Sequence, residues 1–130
     1  MDEAIRQTLA PHIGNAKLSI RFNVPRDRLS DNTTHAILRI IRELVTNAVR
    51  HGGATEIKVA GAIEDNRLMF SVTDNGCGFD PDDHPGVMQG HFGLQGIRER
   101  VMRFGGKIEI ASAPGKGTKV TISIQTTHRQ

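Results

Sequence analysis

The stretch from His35 to His51, HAILRIIRELVTNAVRH, is the longest run with helical spacing in the chain. At about 100° per residue, Ile37, Ile41, Leu44, Val45 and Ala48 gather on one side of the predicted helix. Arg39, Arg42, Glu43, Thr46, Asn47 and Arg50 gather on the other. Upstream, Ser30-Asp31-Asn32-Thr33-Thr34 offers several N-caps, and Gly52-Gly53 predicts the end. Glu43, Asn47 and His51 follow one another at intervals of four, so they share one polar side with Arg50 beside them. Charges alone suit a solvated face. Asn47 is less easily explained, because asparagine is a poor helix former and its neighbours are good ones. A carboxylate and an amide oxygen one turn apart suit a hard cation or its waters, with Arg50 and His51 then placed to face phosphate.

Working outward, Lys17 to Asn23 (KLSIRFN) alternates with Leu18, Ile20 and Phe22 on one face, the period of a half-buried strand. After the helix, TEIKVAGAI and RLMFSVTD alternate likewise and are joined through Glu64-Asp65-Asn66, which predicts a hairpin. A Gly-, Pro- and Asp-rich stretch from Asn75 to His91 has no periodicity, and loops of that length are usually functional lids or disordered. FGLQGIRERVMRF returns to helical spacing through Leu94, Ile97, Val101 and Phe104, and Gly105-Gly106 stops it. KIEIASA and TKVTISI close the chain as a second hairpin. The amphipathic opening, MDEAIRQTLAPH, is set outside the element order: strand, helix, two strands, loop, helix, two strands. That order predicts an α+β fold with a mixed, mostly antiparallel sheet and its helices on one face.

With 130 residues, 37% hydrophobic and 24% charged, the chain has the size and composition of one globular domain. Trp and Tyr are absent, so the core rests on Ile, Val and Leu. The formal charge of +3 is spread rather than clustered, which argues against nucleic acid and slightly for an anionic ligand. Cys77 is the single cysteine, so no internal disulfide forms, and either a reducing compartment or indifference to redox state is expected. No apolar run approaches roughly 18 residues. The expectation is a soluble, intracellular chain without direct membrane contact.

Three glycine-containing segments follow the helix. In DNGCGF, Asn75-Gly76 is a good turn signal. Asp74 at the end of a strand is also an acceptor suited to an exocyclic amine, and Gly76 and Gly78 let a planar ring approach the main chain. Cys77 reads as a small filler between them. Gly90-His91-Phe92-Gly93-Leu94-Gln95-Gly96 lies at a loop-to-helix junction, where unpaired N–H groups and the helix dipole suit phosphate, as they equally suit a flexible lead-in. The Walker pattern is missing. Gly115-Lys116-Gly117-Thr118 is a sufficient hairpin turn, with Thr118 placed to bring a hydroxyl near a ligand on the sheet.

In this order and on these elements, the segments resemble the ATP-binding (Bergerat, GHKL) domain of sensor histidine kinases, in the superfamily that also holds DNA gyrase B, the Hsp90 chaperones and MutL. RELVTNAVRH resembles the N box, and DNGCGF, GHFGLQGIRER and GKGT the three glycine boxes, over roughly residues 15 to 125. GHFGLQGIRERVMRFGGKIEI is most similar to the nitrate and antibiotic-stress sensor subfamily. The resemblance implies a two-layer α/β sandwich that binds ATP and Mg²⁺. It implies that Asn47 coordinates Mg²⁺ and that Glu43 is catalytic, polarising the attacking group or a metal-bound water. Arg50 and His51 would lie near phosphates. Asp74 would bond the adenine amine, Gly76 and Gly78 would shape the base pocket, and Thr118 would support Asp74 through water. Gly90, Gly93 and Gly96 would form the hinge and phosphate end of an ATP lid, with His91, Phe92 and Leu94 among its nucleotide contacts.

The phenylalanine-rich box of many kinases is not evident, and none of the six histidines lies in a segment resembling the phosphoacceptor helix. The chain therefore reads as a single catalytic domain separated from its dimerisation domain, and as a monomer. The implied partners are ATP, that histidine-bearing domain and a response regulator with a helix-turn-helix output domain. The implied location is the cytoplasm, or the cytoplasmic end of a membrane-anchored sensor. The rival readings are an anti-sigma-factor-type serine kinase and an ATPase module of the same superfamily.

Overall fold

Ser30 opens the long helix, α2 (Asp31–Arg50): its extended backbone lets Oγ accept from the Thr33 N–H at 3.1 Å. In this computed structural model, which describes residues 1–25, 29–78 and 96–125, α2 buries Ile37, Ile40, Ile41, Leu44, Val45 and Ala48. Ile40 adds to the expected stripe and widens the buried face. At the far end the chain turns through Gly53, at φ +65°, and Ala54 N–H donates back to the Ala48 carbonyl at 3.0 Å.

The sheet comprises β1 (Lys17–Asn23), β2 (Glu56–Glu64), β3 (Arg67–Asp74), β4 (Lys107–Ser112) and β5 (Thr118–Gln125) in the order β1-β2-β3-β5-β4. Only β1 and β2 are parallel, because α2 carries the chain between them; the other pairs are antiparallel. Asp65 and Asn66, both at positive φ, close the β2–β3 hairpin. Alternation places Ile57 and Val59, Leu68, Phe70 and Val72, and Val120, Ile122 and Ile124 on one face, all buried. Residues 96–103 form a further helix, α3, whose Ile97 and Val101 are fully buried in the same core. This is the expected mixed sheet with helices on one face.

The opening segment departs from its reading. It forms α1 (Asp2–Leu9), followed by a short 3-10 turn, and Ile5 and Leu9 are completely buried in the main core. Asp2 Oδ1 also accepts the Phe22 N–H at 3.1 Å, capping an edge-strand donor of β1. The core thus begins ahead of residue 15. Most of the Asn75–His91 stretch, and Gly90, His91, Phe92, Gly93 and Leu94 with it, lie outside the described residues. Among the described residues, no helix is long and apolar enough to cross a membrane.

Candidate functional site

Asp74 continues the alternation Leu68, Phe70, Val72 and so points to the helix side of the sheet, where the three preceding positions are core. At the strand end the layer opens, and a carboxylate occupies the place of a hydrophobe. Oδ1 accepts the Gly76 N–H at 2.7 Å. Burial pushes the Asp74 carboxyl above its ordinary range, and backbone hydrogen bonds from Gly76 and Thr118 oppose that rise without cancelling it.

The loop after Asp74 is held on both sides by main chain. Asn75 Oδ1 accepts the N–H groups of Thr55 and Glu56 at 2.8 and 2.9 Å, and its Nδ2 donates to Thr55 Oγ1 at 2.9 Å. Asn75 is therefore a staple onto the start of β2 as well as a turn residue. Cys77 N–H donates to the Gly52 carbonyl at 2.8 Å, and Gly115 N–H donates to the Cys77 carbonyl. Both glycines have reasons within the protein itself. A Cβ at Gly76 would stand 2.8 Å from Gly52 O, and one at Gly78, φ +66°, would stand 2.2 Å from Ala113 O. The helix stop, the DNGCGF loop and the β4–β5 turn are thus pressed backbone to backbone. Ser112 Oγ donates to the Gly117 carbonyl at 3.0 Å, so Thr118 Oγ1 is the donor in its 2.9 Å bond to Ser112.

Together these segments enclose a cleft of about 460 Å³, counted out to the solvent at its mouth. Leu44 and Ala48 of α2, Val72 of β3 and Val120 of β5 form apolar walls. Asn47, Asp74 and Thr118 supply polar side chains, and Gly52, Cys77 and Gly78 complete the lining. The mix of apolar walls with a few polar groups suits the planar, partly polar face of a small organic ligand. Asn47 Nδ2 is buried and has no hydrogen-bond partner among the described residues. Such an atom costs about 1–3 kcal/mol when left unpaired, so a ligand at this position would remove a penalty as well as add a contact.

The remaining expected residues fall around this cleft. Glu43 does not line it: Oε1 accepts from Arg100 Nη1 of α3 at 2.9 Å, and Oε2 lies 3.6 Å from Arg39 Nε. Sequence reasoning missed Arg100, since nothing in the spacing of residues 57 apart signals that pair. Arg50 and His51 are exposed at the end of α2 and do not line the cleft. Gly96 begins the described part of α3. Cys77, read as a small filler between the glycines, is exposed. The apolar walls were legible only as core, although their alternation with Asp74 marks the face they share.

Mg²⁺ needs oxygen ligands and retains water and phosphate ligands. Among the described residues, no group of three or more His, Cys, Asp or Glu side chains could hold a metal. The Asn47 amide, which offers an oxygen or a nitrogen by a half-turn of its terminal torsion, fits a cation shared with phosphates.

A two-layer α+β sandwich with a cleft between the end of its long helix and the ends of its central strands defines the Bergerat class of ATP-binding domain. The comparisons agree. Residues 32–128 match the family described as histidine kinase-, DNA gyrase B-, and HSP90-like ATPase, and the chain belongs to that family. It is 36% identical over 114 residues to the nitrate/nitrite sensor protein NarQ of Escherichia coli, covering 86% of this chain and 19% of NarQ. To the sensor histidine kinase LiaS of Bacillus subtilis it is 27% identical over 124 residues, covering 95% of this chain and 34% of LiaS. The chain thus spans about a third or less of these relatives. Its fold is similar to the blue-light activated histidine kinase of Erythrobacter litoralis, with TM-score 0.76 and 21% identity, covering 96% of this chain and 40% of that one. It is also similar to the ATP binding domain of PrrB from Mycobacterium tuberculosis, with TM-score 0.71 and 18% identity, covering 96% and 90% of the two chains.

Proposed function

We propose that this chain is the ATP-binding catalytic domain of a two-component sensor histidine kinase of the nitrate and antibiotic-stress sensor type, acting in the cytoplasm. The observation that carries the reading is the cleft itself. Asn47, Asp74 and Thr118, from three segments distant in sequence, line one cavity, and Asn47 brings to it a buried polar atom without a partner among the described residues.

In this reading the base enters between Leu44, Ala48, Val72 and Val120, and the Asp74 carboxylate accepts a hydrogen bond from the adenine amine. The Gly76 N–H on Oδ1 fixes that carboxylate's direction. Asn47 and the ATP phosphates would hold Mg²⁺, which would supply charge neutralisation at the phosphates. Arg50 and His51, exposed at the end of α2, stand on the phosphate side. Glu43, one turn before Asn47 and oriented by Arg100, polarises the attacking imidazole. In the transfer, a histidine nitrogen on a dimerisation domain bonds to the γ-phosphorus, the bond to the β,γ-bridging oxygen breaks and ADP leaves; positioning supplies most of the catalysis. The phosphoryl group then passes to a response regulator with a helix-turn-helix output domain. Gly90, His91, Phe92, Gly93, Leu94 and Gly96 belong to the lid of the site in this proposal.

The test is titration with a fluorescent ATP analogue with and without Mg²⁺, followed by transfer from radiolabelled ATP to the dimerisation domain of a relative. Binding and an acid-labile phosphohistidine are expected. An acid-stable phosphoserine on a protein partner would instead support the serine-kinase reading.

A further inference from the structure

We propose that Arg100 is a positioning residue for phosphoryl transfer, and that its bond to Glu43 makes the placement of α3 a control on the transfer rate, separate from nucleotide affinity. This rests on the reading of Glu43 as the residue that polarises the attacking imidazole. Glu43 stands one turn before Asn47 on α2 yet does not line the cleft, so the base of a nucleotide seated there does not fix its side chain. Another group must hold it.

Among the described residues, its partners are two arginines of unequal strength. Arg39, one turn earlier on the same helix, has a side chain 59% exposed and brings Nε to 3.6 Å from Oε2, too long for a hydrogen bond. An exposed pair of this kind contributes little. Arg100 reaches across from α3: Nη1 donates to Oε1 at 2.9 Å with only 21% of its side chain exposed, a charge-assisted bond that water screens far less. Its main chain is fixed as well, because Ile97 nearly one turn before it and Val101 directly after it are fully buried in the core. The carboxylate therefore takes its direction from α3.

The two oxygens divide the work. With Oε1 held by Arg100, Oε2 has only the long Arg39 contact beside it and is the oxygen open to an incoming N–H. The acceptor imidazole donates its N–H to Oε2. That proton passes to the carboxylate as the ring's other nitrogen bonds to the γ-phosphorus, and the β,γ-bridging oxygen leaves on ADP with the bonding electron pair. A misplacement of about 1 Å in such an array can cost about a hundredfold in rate. Movement of α3 relative to α2 would thus change the rate and leave the adenine contact at Asp74 in place.

The experiment compares wild type with Arg100→Met, Arg100→Lys, Arg39→Met and Glu43→Gln. It measures affinity for a fluorescent ATP analogue with Mg²⁺ and the single-turnover rate of transfer from radiolabelled ATP to the dimerisation domain of a relative. Arg100→Met should lower the rate at least about tenfold with affinity unchanged, Arg100→Lys should recover part of that loss, and Arg39→Met should stay within about twofold of wild type. In the Glu43→Gln background Arg100→Met should add no further loss, because it acts through the carboxylate that has been removed. A wild-type rate in Arg100→Met while Glu43→Gln is slow, a loss of equal size in both backgrounds, or a fall in affinity matching the fall in rate would each overturn the proposal while the nucleotide reading stands. Should circular dichroism show Arg100→Met unfolded, Arg100→Gln is judged by the same outcomes. A wild-type rate in Glu43→Gln, or no transfer by the wild-type chain, would overturn the proposed role of Glu43 and this inference with it.

Discussion

Gly78 allows the backbone contact that shapes the cleft to be weighed by itself. Alanine at φ +66° carries a left-handed strain of about 1–2 kcal/mol. Its Cβ would also meet Ala113 O at 2.2 Å and Gly117 O at 2.8 Å, both main-chain atoms that cannot rotate aside. Overpacking of this kind costs about 1–3 kcal/mol, and the reduced freedom of the unfolded chain returns about 0.4–1 kcal/mol. Gly53→Ala is the control: φ is +65°, yet nothing lies within 4 Å of the new Cβ. The strain then nearly cancels between the two variants, and Gly78→Ala should be less stable than Gly53→Ala by about 2 kcal/mol. For a domain of this size that corresponds to a Tm difference of roughly 6–10 °C. Urea denaturation of both variants measures it, provided the m-values agree. Equal losses within about 0.5 kcal/mol would refute the claim that the loop is pressed against the β4–β5 turn.

Asn47→Leu should stabilise the nucleotide-free chain by about 1–3 kcal/mol, because it removes a buried donor without a partner among the described residues, and should abolish the Mg²⁺-dependent part of ATP affinity. Thermal melts and paired titrations with and without Mg²⁺ check the two halves; a destabilised variant would contradict the first. Asn75→Ala removes three side-chain hydrogen bonds to Thr55 and Glu56 and should cost about 2–3 kcal/mol in urea denaturation, against near zero for a residue serving only as a turn. Burial raises the Asp74 pKa in the folded state, so the native chain holds that proton more tightly than the unfolded chain does. The stability this confers is present below the unfolded value and lost as pH rises through the folded one. Asp74→Asn should therefore gain stability relative to wild type at neutral pH and lose that gain in acid. Wild-type nucleotide affinity should fall as pH drops through the raised value.

Local pattern carried much of the architecture into view. The alternation of RLMFSVTD placed Asp74 at a strand end, and helical spacing singled out Asn47 but put it on the polar side with Glu43 and Arg50, whereas it lines the cleft beside Leu44 and Ala48; those readings depend on neighbours two to four residues away. What stayed hidden depends on distant neighbours. MDEAIRQTL forms a short helix without a side-chain cap, and Ile5 and Leu9 hold it by burial in a core built from the rest of the chain. Arg100 meets Glu43 only after α3 packs on the sheet. The glycines of DNGCGF were explained from the sequence by the approach of a ligand, whereas their immediate cause is the approach of Gly52, Ala113 and Gly117. Asn75 looked like punctuation and is a three-bond staple.

The central claim is that Asp74 reads the base of a bound nucleotide, and one titration tests it most directly. Asp74→Asn keeps the shape of the side chain and an acceptor for the Gly76 N–H, so circular dichroism and the thermal melt at neutral pH should show an intact fold. Affinity for a fluorescent ATP analogue with Mg²⁺ should fall at least about thirtyfold, the loss of a hydrogen bond to a charged group. Equal affinities for the variant and the wild-type chain would contradict the account.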